Sequence, residues 1–254
     1  PSRGLGDVYK RQGWYEAVMS HRNLVVLTGA GISAESGVPT FRASDGLWCG
    51  RRVEDVATPE GYAADPALVQ AFYNQRRRQL AQVRPNAAHR ALAELAARWA
   101  GGFLLVTQNV DDLHDRAHAQ TPPAAGFELI HMHGELLKAR CTRSGVVTDW
   151  AGDMTADQPS PHHPDGVMRP HIVWFGETPL QMERIEDALR RCDLFVSIGT
   201  SGAVYPAAGF VQAARHAGAR TVEINLHPTS GARLFDEGAY GPATEAVPAF
   251  FDTL

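Results

Sequence analysis

Six short apolar runs set the architecture of this chain, because each one stops at a glycine or a polar cluster. "LVVLT" leads into Gly29–Gly31, "FLLVT" into Gln108–Asp111 and "LIHM" into His133–Gly134. "HIVWF" leads into Gly176–Glu177, "LFVSI" into Gly199–Ser201 and "TVEI" into Asn225–His227. Runs rich in Val, Ile, Leu and Phe read as strands buried on both faces. Between several of them lie stretches with a helical apolar period: "PNAAHRALAELAARWAGG", "PLQMERIEDALRRC" and "YPAAGFVQAARHAGA". Strand and helix in alternation predict an α/β fold, a mostly parallel sheet with helices on both faces. Ligands of such sheets sit outside the carboxyl ends of the strands. That is where this chain gathers its glycines and polar residues, so the six tails point to one shared crevice.

Bulk properties narrow the classes. The 254 residues suffice for one large domain with a smaller insertion. A net charge of −4 gives no general drive toward nucleic acid, and no run of about 18 apolar residues offers a membrane span. Neither nucleic acid nor membrane is expected as a partner. Three scattered cysteines make no disulfide framework and fit a reducing compartment, so a cytoplasmic location is expected. Two stretches, 43–85 and 138–170, break the alternation and read as insertions packing together as a small module. Residues 13–42, 86–137 and 171–254 remain for the large domain. The first twelve residues, "PSRGLGDVYKRQ", read as a non-native leader. One back-translation of Asp7–Gln12 matches a transposon end used in sequencing libraries.

Residue chemistry supports a phosphate and ribose site. Gly29 and Gly31 offer a backbone without Cβ atoms for close approach to a pyrophosphate, and a helix starting near Ser33 offers free N–H groups; an ordinary strand-to-helix turn is the alternative. No Lys-Ser or Lys-Thr pair follows, so this is not an ATP-type loop. Gln108 and Asn109 carry amides that both donate to and accept from hydroxyls, while Asp111 is also placed to cap a helix beginning near Asp112. His131 and His133 alternate along one apparent strand, with His131 read as structural and His133 as a base near neutral pH. Gly199, Thr200 and Ser201 supply N–H and hydroxyl donors.

The motifs "GAGISAESGVPTFR", "TQNVDDLH", "HMHGEL", "VWFGE", "GTS" and "NLH" resemble, in order and spacing, those of the sirtuins, and of the bacterial CobB type in particular, from about Asn23 to Phe250. The resemblance implies a Rossmann-like domain plus a small module, and NAD-dependent removal of acyl groups from protein lysines. It implies that NAD is consumed, that nicotinamide leaves, and that the products are free lysine and O-acyl-ADP-ribose. It places Gly29, Ala30, Gly31, Ile32, Glu35, Phe41, Arg42 and Trp48 at the cofactor, with Pro39–Trp48 as a loop closing over the nicotinamide ribose. Gln108, Asn109 and Val110 fall near that ribose and Asp111 near the carboxamide, with His133 and Asn109 catalytic. Gly199, Thr200 and Ser201 fall at phosphate or ribose, Asn225 at the adenosine ribose with Leu226 and His227 following it, and Ala243 beside the adenine, although the family often has an acid at His227. Val173, Trp174, Phe175, Gly176 and Glu177 match the segment that pairs with substrate backbone. The rival readings are ADP-ribosyl transfer or NAD hydrolysis, and a non-catalytic NAD or ADP-ribose sensor.

The acyl group is suggested by the helix "PALVQAFYNQRRRQLAQV". Val69, Phe72, Tyr73, Arg76, Leu80 and Val83 share one helical face, which leaves Arg76 as a cation in an apolar stripe, while Arg77 and Arg78 read as solvated. Arg76 could pair with a protein carboxylate or reach out to water; it could equally take a carboxylate on the acyl chain, bound with Tyr73. The Tyr-x-x-Arg spacing and the small Ala57 resemble sirtuins that accept succinyl- or malonyl-lysine. Those enzymes usually carry zinc on two CxxC pairs. Here Cys141 is followed by Ser144, "PSPHHPDG" replaces the later pair, and Cys49 and Cys192 lie outside the module. Cys141, His162, His163 and Asp165 make only an irregular donor set, so the expectation is a metal-free module.

Overall fold

The computed structural model describes residues 23–40 and 47–254. The leader and the Phe41–Arg42 pair lie outside them. Strands among the described residues are β1 Asn23–Thr28, β2 Leu47–Trp48, β3 Arg51–Arg52, β4 Gly102–Thr107, β5 Phe127–His131, β6 Gly134–Cys141, β7 Val147–Asp149, β8 Met168–Ile172, β9 Leu194–Ile198, β10 Arg220–Asn225 and β11 Glu237–Tyr240.

Six of these form one parallel sheet in the order β11-β10-β9-β1-β4-β5. The chain lays β4 and β5 to one side of β1, then returns to lay β9, β10 and β11 on the other, which is the Rossmann order with its reversal at β1. Alternation sends Leu24, Val26, Leu105 and Val196 against the helices Ala87–Arg98 and Ala243–Phe251. Val25, Leu27, Val106 and Phe195 pack the other way, on Met182–Leu189 and Phe210–His216. Burial on both faces is why these strands are uniformly apolar.

Five of the six runs are strands of this sheet, and "HIVWF" is not. Its first two residues end β8, which pairs antiparallel with β6 in a separate three-stranded sheet ordered β7-β6-β8, and Val173–Phe175 lies outside any strand. The sixth parallel strand is the edge strand β11, whose "EGAY" carries no apolar run. The antiparallel sheet starts at Gly134 and closes at Ile172, so it reaches past the 138–170 boundaries read from the sequence.

The helix Pro66–Leu80 starts where the Asp65 carboxylate accepts from Leu68 N–H, with Pro66 at its first position. One face joins an apolar core of Val53, Val56, Val69, Phe72, Leu136 and Trp174. A second face staples the helix to the antiparallel sheet and its loops. Gln70 donates to Met168 O (3.0 Å), Asn74 to Met154 O (2.8 Å) and Arg77 to Leu136 O (3.0 Å). Arg77 also donates to Asn74 Oδ1 at 2.6 Å and is 2% exposed, so it is not the solvated residue the apolar stripe suggested. Arg78 is exposed and pairs with Asp153.

Candidate active site

A cleft of about 540 Å³ opens at the carboxyl ends of β1, β4 and β9, at the reversal point of the sheet. At its floor the Gly29–Gly31 loop meets Gly199–Thr200. Gly31 N–H donates to Gly199 O at 2.8 Å, and a Cβ on Gly31 would lie 2.7 Å from the Gly199 backbone. A Cβ on Gly29 would strike Thr200 at 2.9 Å. The glycines are therefore required first by the contact between two strand-end loops. The following turn is a 3-10 helix, Ala30–Ser36, and the N–H groups of Gly29, Gly31 and Ile32 are all taken within the fold. The free N–H groups expected of a helix starting near Ser33 are not provided in that form.

Side chains around this floor are held by one another. Gln108 donates to Thr200 Oγ1 (3.0 Å), and Asn225 donates to Thr200 O (2.9 Å). Ser33 Oγ donates to Asp111 Oδ2 (3.0 Å) and accepts from Asn109 Nδ2 (3.1 Å). His89 lies 3.3 Å from the same hydroxyl and is pushed down to about 3 by burial, so it sits there neutral. Asp111 also accepts from Leu113 N–H at 3.2 Å, at the start of the helix Leu113–Gln120 whose N-cap position is Asp112, and burial raises its pKa above the usual carboxylate value. Buried polar groups tied this way are pre-set for a ligand.

His133 sits in the turn between β5 and β6, not on a strand shared with His131, which ends β5 and meets Asp115 at 3.0 Å. Nδ1 of His133 donates to Gln108 O at 3.1 Å, leaving the Nε2 lone pair for the cleft. Burial lowers the pKa of this imidazole, outweighing the Gln108 bond.

The opposite wall is built by the segment after β8. Val173 N–H donates to His133 O and Phe175 N–H to Ala57 O, both at 2.9 Å. Trp174 N–H donates to the Glu177 carboxylate and Glu177 N–H to Trp174 O. Four of the five N–H groups of Val173–Glu177 are thus engaged within the fold. The Glu177 carboxylate receives Arg169 at 2.7 and 3.0 Å and Arg140 at 3.2 Å. Arg169 in turn lies 3.3 Å over the Trp174 ring. Trp174 Nε1 donates to Tyr73 Oη at 2.9 Å, and Tyr73 is 0% exposed.

Arg76 lines the cleft near Cys49, Trp48 and Ala57. Its Nε and Nη1 are buried without a hydrogen-bond partner among the described residues, its guanidinium lies 4.9 Å from the Phe72 ring, and it interacts with the Cys49 thiol. The structure therefore separates two residues the helical stripe joined: Arg76 faces the cleft with open donors, while the Tyr73 hydroxyl is occupied behind it.

Gly29, Ala30, Gly31, Trp48, Ala57, Gln108–Asp111, His133, Val173–Glu177, Gly199–Ser201 and Asn225 all line this cleft. Ile32, Glu35, Leu226, His227 and Ala243 do not. Ile32 is core, and Glu35 accepts from Thr244 N–H (2.9 Å) and Thr244 Oγ1 (2.7 Å) at the start of the helix Ala243–Phe251. Cys49, Gln79, Val83, Pro179 and Tyr205 line it without having been singled out as site residues; Val83 was legible on the Arg76 face. Among the described residues no group of three or more His, Cys, Asp or Glu is arranged to hold a metal, and no helix is long and apolar enough to cross a membrane. Cys141 is buried with Ala139, Met154 and Met168.

A Rossmann sheet with a neutral base and a ring of amides and hydroxyls at its reversal point defines a nucleotide-binding α/β enzyme. Comparison with known proteins supplies the particular family. Residues 29–206 match the Sir2 family. An NAD-dependent protein deacylase of Pasteurella multocida (strain Pm70) is 58% identical over 230 residues, covering 89% of this chain and 95% of that one. A solved Sir2 homologue in complex with NAD superposes with a TM-score of 0.82 at 34% identity, covering 95% of this chain and 92% of the other. Sir2 bound to acetylated peptide superposes at 0.75 with 25% identity and 95% coverage of each. The chain belongs to the Sir2 family.

Proposed function

We propose that this protein is an NAD-dependent protein-lysine deacylase that removes acetyl, succinyl and malonyl groups, releasing nicotinamide and O-acyl-ADP-ribose. The single observation that carries the reading is His133, a neutral imidazole with a free Nε2, in the same cleft as the strand-end amides and the open Arg76 guanidinium. The polar lining suits a dinucleotide: hydroxyls of Thr200 and Ser201, amides of Gln108, Asn109 and Asn225, and the buried Asp111 carboxylate linked to Asn109 through Ser33.

When bound, NAD supplies a ribosyl carbon with a pyridine leaving group. The chain's residues do the rest. Asn109 and Asp111, fixed through Ser33, hold the nicotinamide end. Val173–Glu177 would hold the acylated lysine beside the nicotinamide end, and such positioning is worth several orders of magnitude in rate. His133 Nε2 takes the proton from a ribose hydroxyl, with Nδ1–H bonded to Gln108 O steadying the ring. Ala57 leaves room for a longer acyl chain, and Arg76 binds a carboxylate at its far end. The free cysteines and the lack of membrane-spanning helices among the described residues support a cytoplasmic setting.

The test is nicotinamide release measured with NAD and a panel of acetyl-, succinyl- and malonyl-lysine peptides, with products read by mass. Release that requires acyl-peptide and yields O-acyl-ADP-ribose is expected. Release at the same rate without peptide would return the assignment to NAD hydrolysis, and no release at all would leave a sensor.

A further inference from the structure

Glu223 is a buried carboxylate beside the nucleoside end of the cleft, and the mechanism above gives it no task. It is 3% exposed on β10, two residues before Asn225 and therefore on the same face of the strand. Among the described residues no Lys, Arg or His pairs with it. Its oxygens accept instead from Thr229 Oγ1, from Thr229 N–H at 3.4 Å and from Tyr240 Oη at 2.9 Å. Thr229 belongs to the loop that follows Asn225. Tyr240 is the β11 partner of Asn225, and the next residue, Gly241, donates to Asn225 O at 3.0 Å. One carboxylate thus ties down both segments that flank Asn225.

The same side chain helps line a small cavity of about 30 Å³ behind Thr200. Thr200 is where Asn225 and Gln108 converge, and it lines the large cleft as well. A carboxyl side chain without a cation is costly to bury unless hydrogen bonds hold it, and an apolar residue would fill this space more cheaply. Resting on the reading of the cleft as an NAD site, we infer that Glu223 is a positioning residue that sets Asn225 and Thr200 for the adenosine half of the dinucleotide. It touches no reacting atom.

The measurement is a split of kinetic constants together with calorimetric titration of ADP-ribose. Glu223→Gln is expected to raise the KM for NAD and the Kd for ADP-ribose in parallel, by about tenfold, because the amide nitrogen that replaces one oxygen cannot accept from Thr229 or Tyr240. Its kcat at saturating NAD and its KM for acetyl-peptide stay within about twofold. Should Glu223→Gln fail to fold, Thr229→Val carries the test with the same NAD-specific rise, while Thr229→Ser, which keeps the hydroxyl, restores wild-type constants. An unmoved Kd for ADP-ribose, or a peptide KM and kcat that shift as much as the NAD constants, overturns the inference. A wild-type protein that does not bind ADP-ribose overturns the reading beneath it.

Discussion

Replacing Arg76 by methionine isolates the acyl carboxylate from everything else in the cleft. Among the described residues the guanidinium pairs with no carboxylate: Nε and Nη1 are buried and unbonded. A carboxylate at the end of an acyl chain would complete two charge-assisted hydrogen bonds, each about 1.5–3 kcal/mol. Arg76 is half-buried, so the lower end of that range applies, about 3 kcal/mol for the pair. At about 1.4 kcal/mol per decade this is a loss of about 100-fold in kcat/KM on succinyl-peptides. Acetyl-peptides carry no carboxylate and should change by no more than about threefold. Methionine fits the same apolar stripe, so the melting temperature should hold or rise. Arg77→Met is the control: it abandons Leu136 O and Asn74 Oδ1 in the interior and should cost about 2–3 kcal/mol of stability. Equal losses on succinyl- and acetyl-peptides, or a fall in melting temperature matching that of Arg77→Met, would show that Arg76 is structural and refute the reasoning.

Three further outcomes are expected. His133→Ala should keep NAD binding and lose about 10²–10⁴ in kcat; because burial lowers the His133 pKa, the base form persists below the ordinary 6.5, so the acid limb of kcat/KM should lie below 6.5, and a limb at or above 6.5 would contradict this. Chelation should leave the melting temperature unchanged, since Cys141 packs among Ala139, Met154 and Met168; stoichiometric zinc in the purified protein would overturn that. Glu177→Gln should cost about 2–3 kcal/mol by leaving Arg169 short of a partner. Burial pushes the Glu177 pKa up, but Arg169, Trp174 N–H and Arg140 outweigh it and hold it below 4.5, so its contribution is full above that pH and is lost as pH falls through the folded value. A wild-type stability curve with the same acid limb as the variant would remove Glu177 from the account.

What could be read from the sequence was whatever the chain repeats locally. Strands buried on two faces are apolar throughout, so β1, β4, β5, β9 and β10 announce themselves, and a parallel sheet forces their tails to one edge. The same rule misassigns His171–Phe175, because β8 is also buried though it runs in another sheet. It passes over β11, whose edge position needs no apolar run. The stripe on the helix Pro66–Leu80 was legible at one face only. Gln70, Asn74 and Arg77 fall at spacings of four and three, a second, polar stripe that grips the antiparallel sheet, and an apolar count does not see it. Contacts fixed by the fold leave no local trace: Glu35 meets Thr244 across 209 residues, and nothing in "GISAESG" foretells it.

Tyr73 shows how far such a contact can redirect a functional reading. Spacing alone pairs it with Arg76 as a joint carboxylate receptor. In the structure its hydroxyl accepts from Trp174 Nε1, and Trp174 is held in turn by Arg169 and Glu177. The hydroxyl therefore braces the Val173–Glu177 wall of the cleft. Tyr73→Phe leaves the buried indole N–H without an acceptor, a loss of about 1–3 kcal/mol in stability. Its effect on kcat/KM should then be equal for acetyl- and succinyl-peptides, unlike that of Arg76→Met. If Tyr73→Phe instead spares the melting temperature and selectively impairs desuccinylation, the hydroxyl turns to the acyl carboxylate when substrate binds, and Arg76 does not act alone.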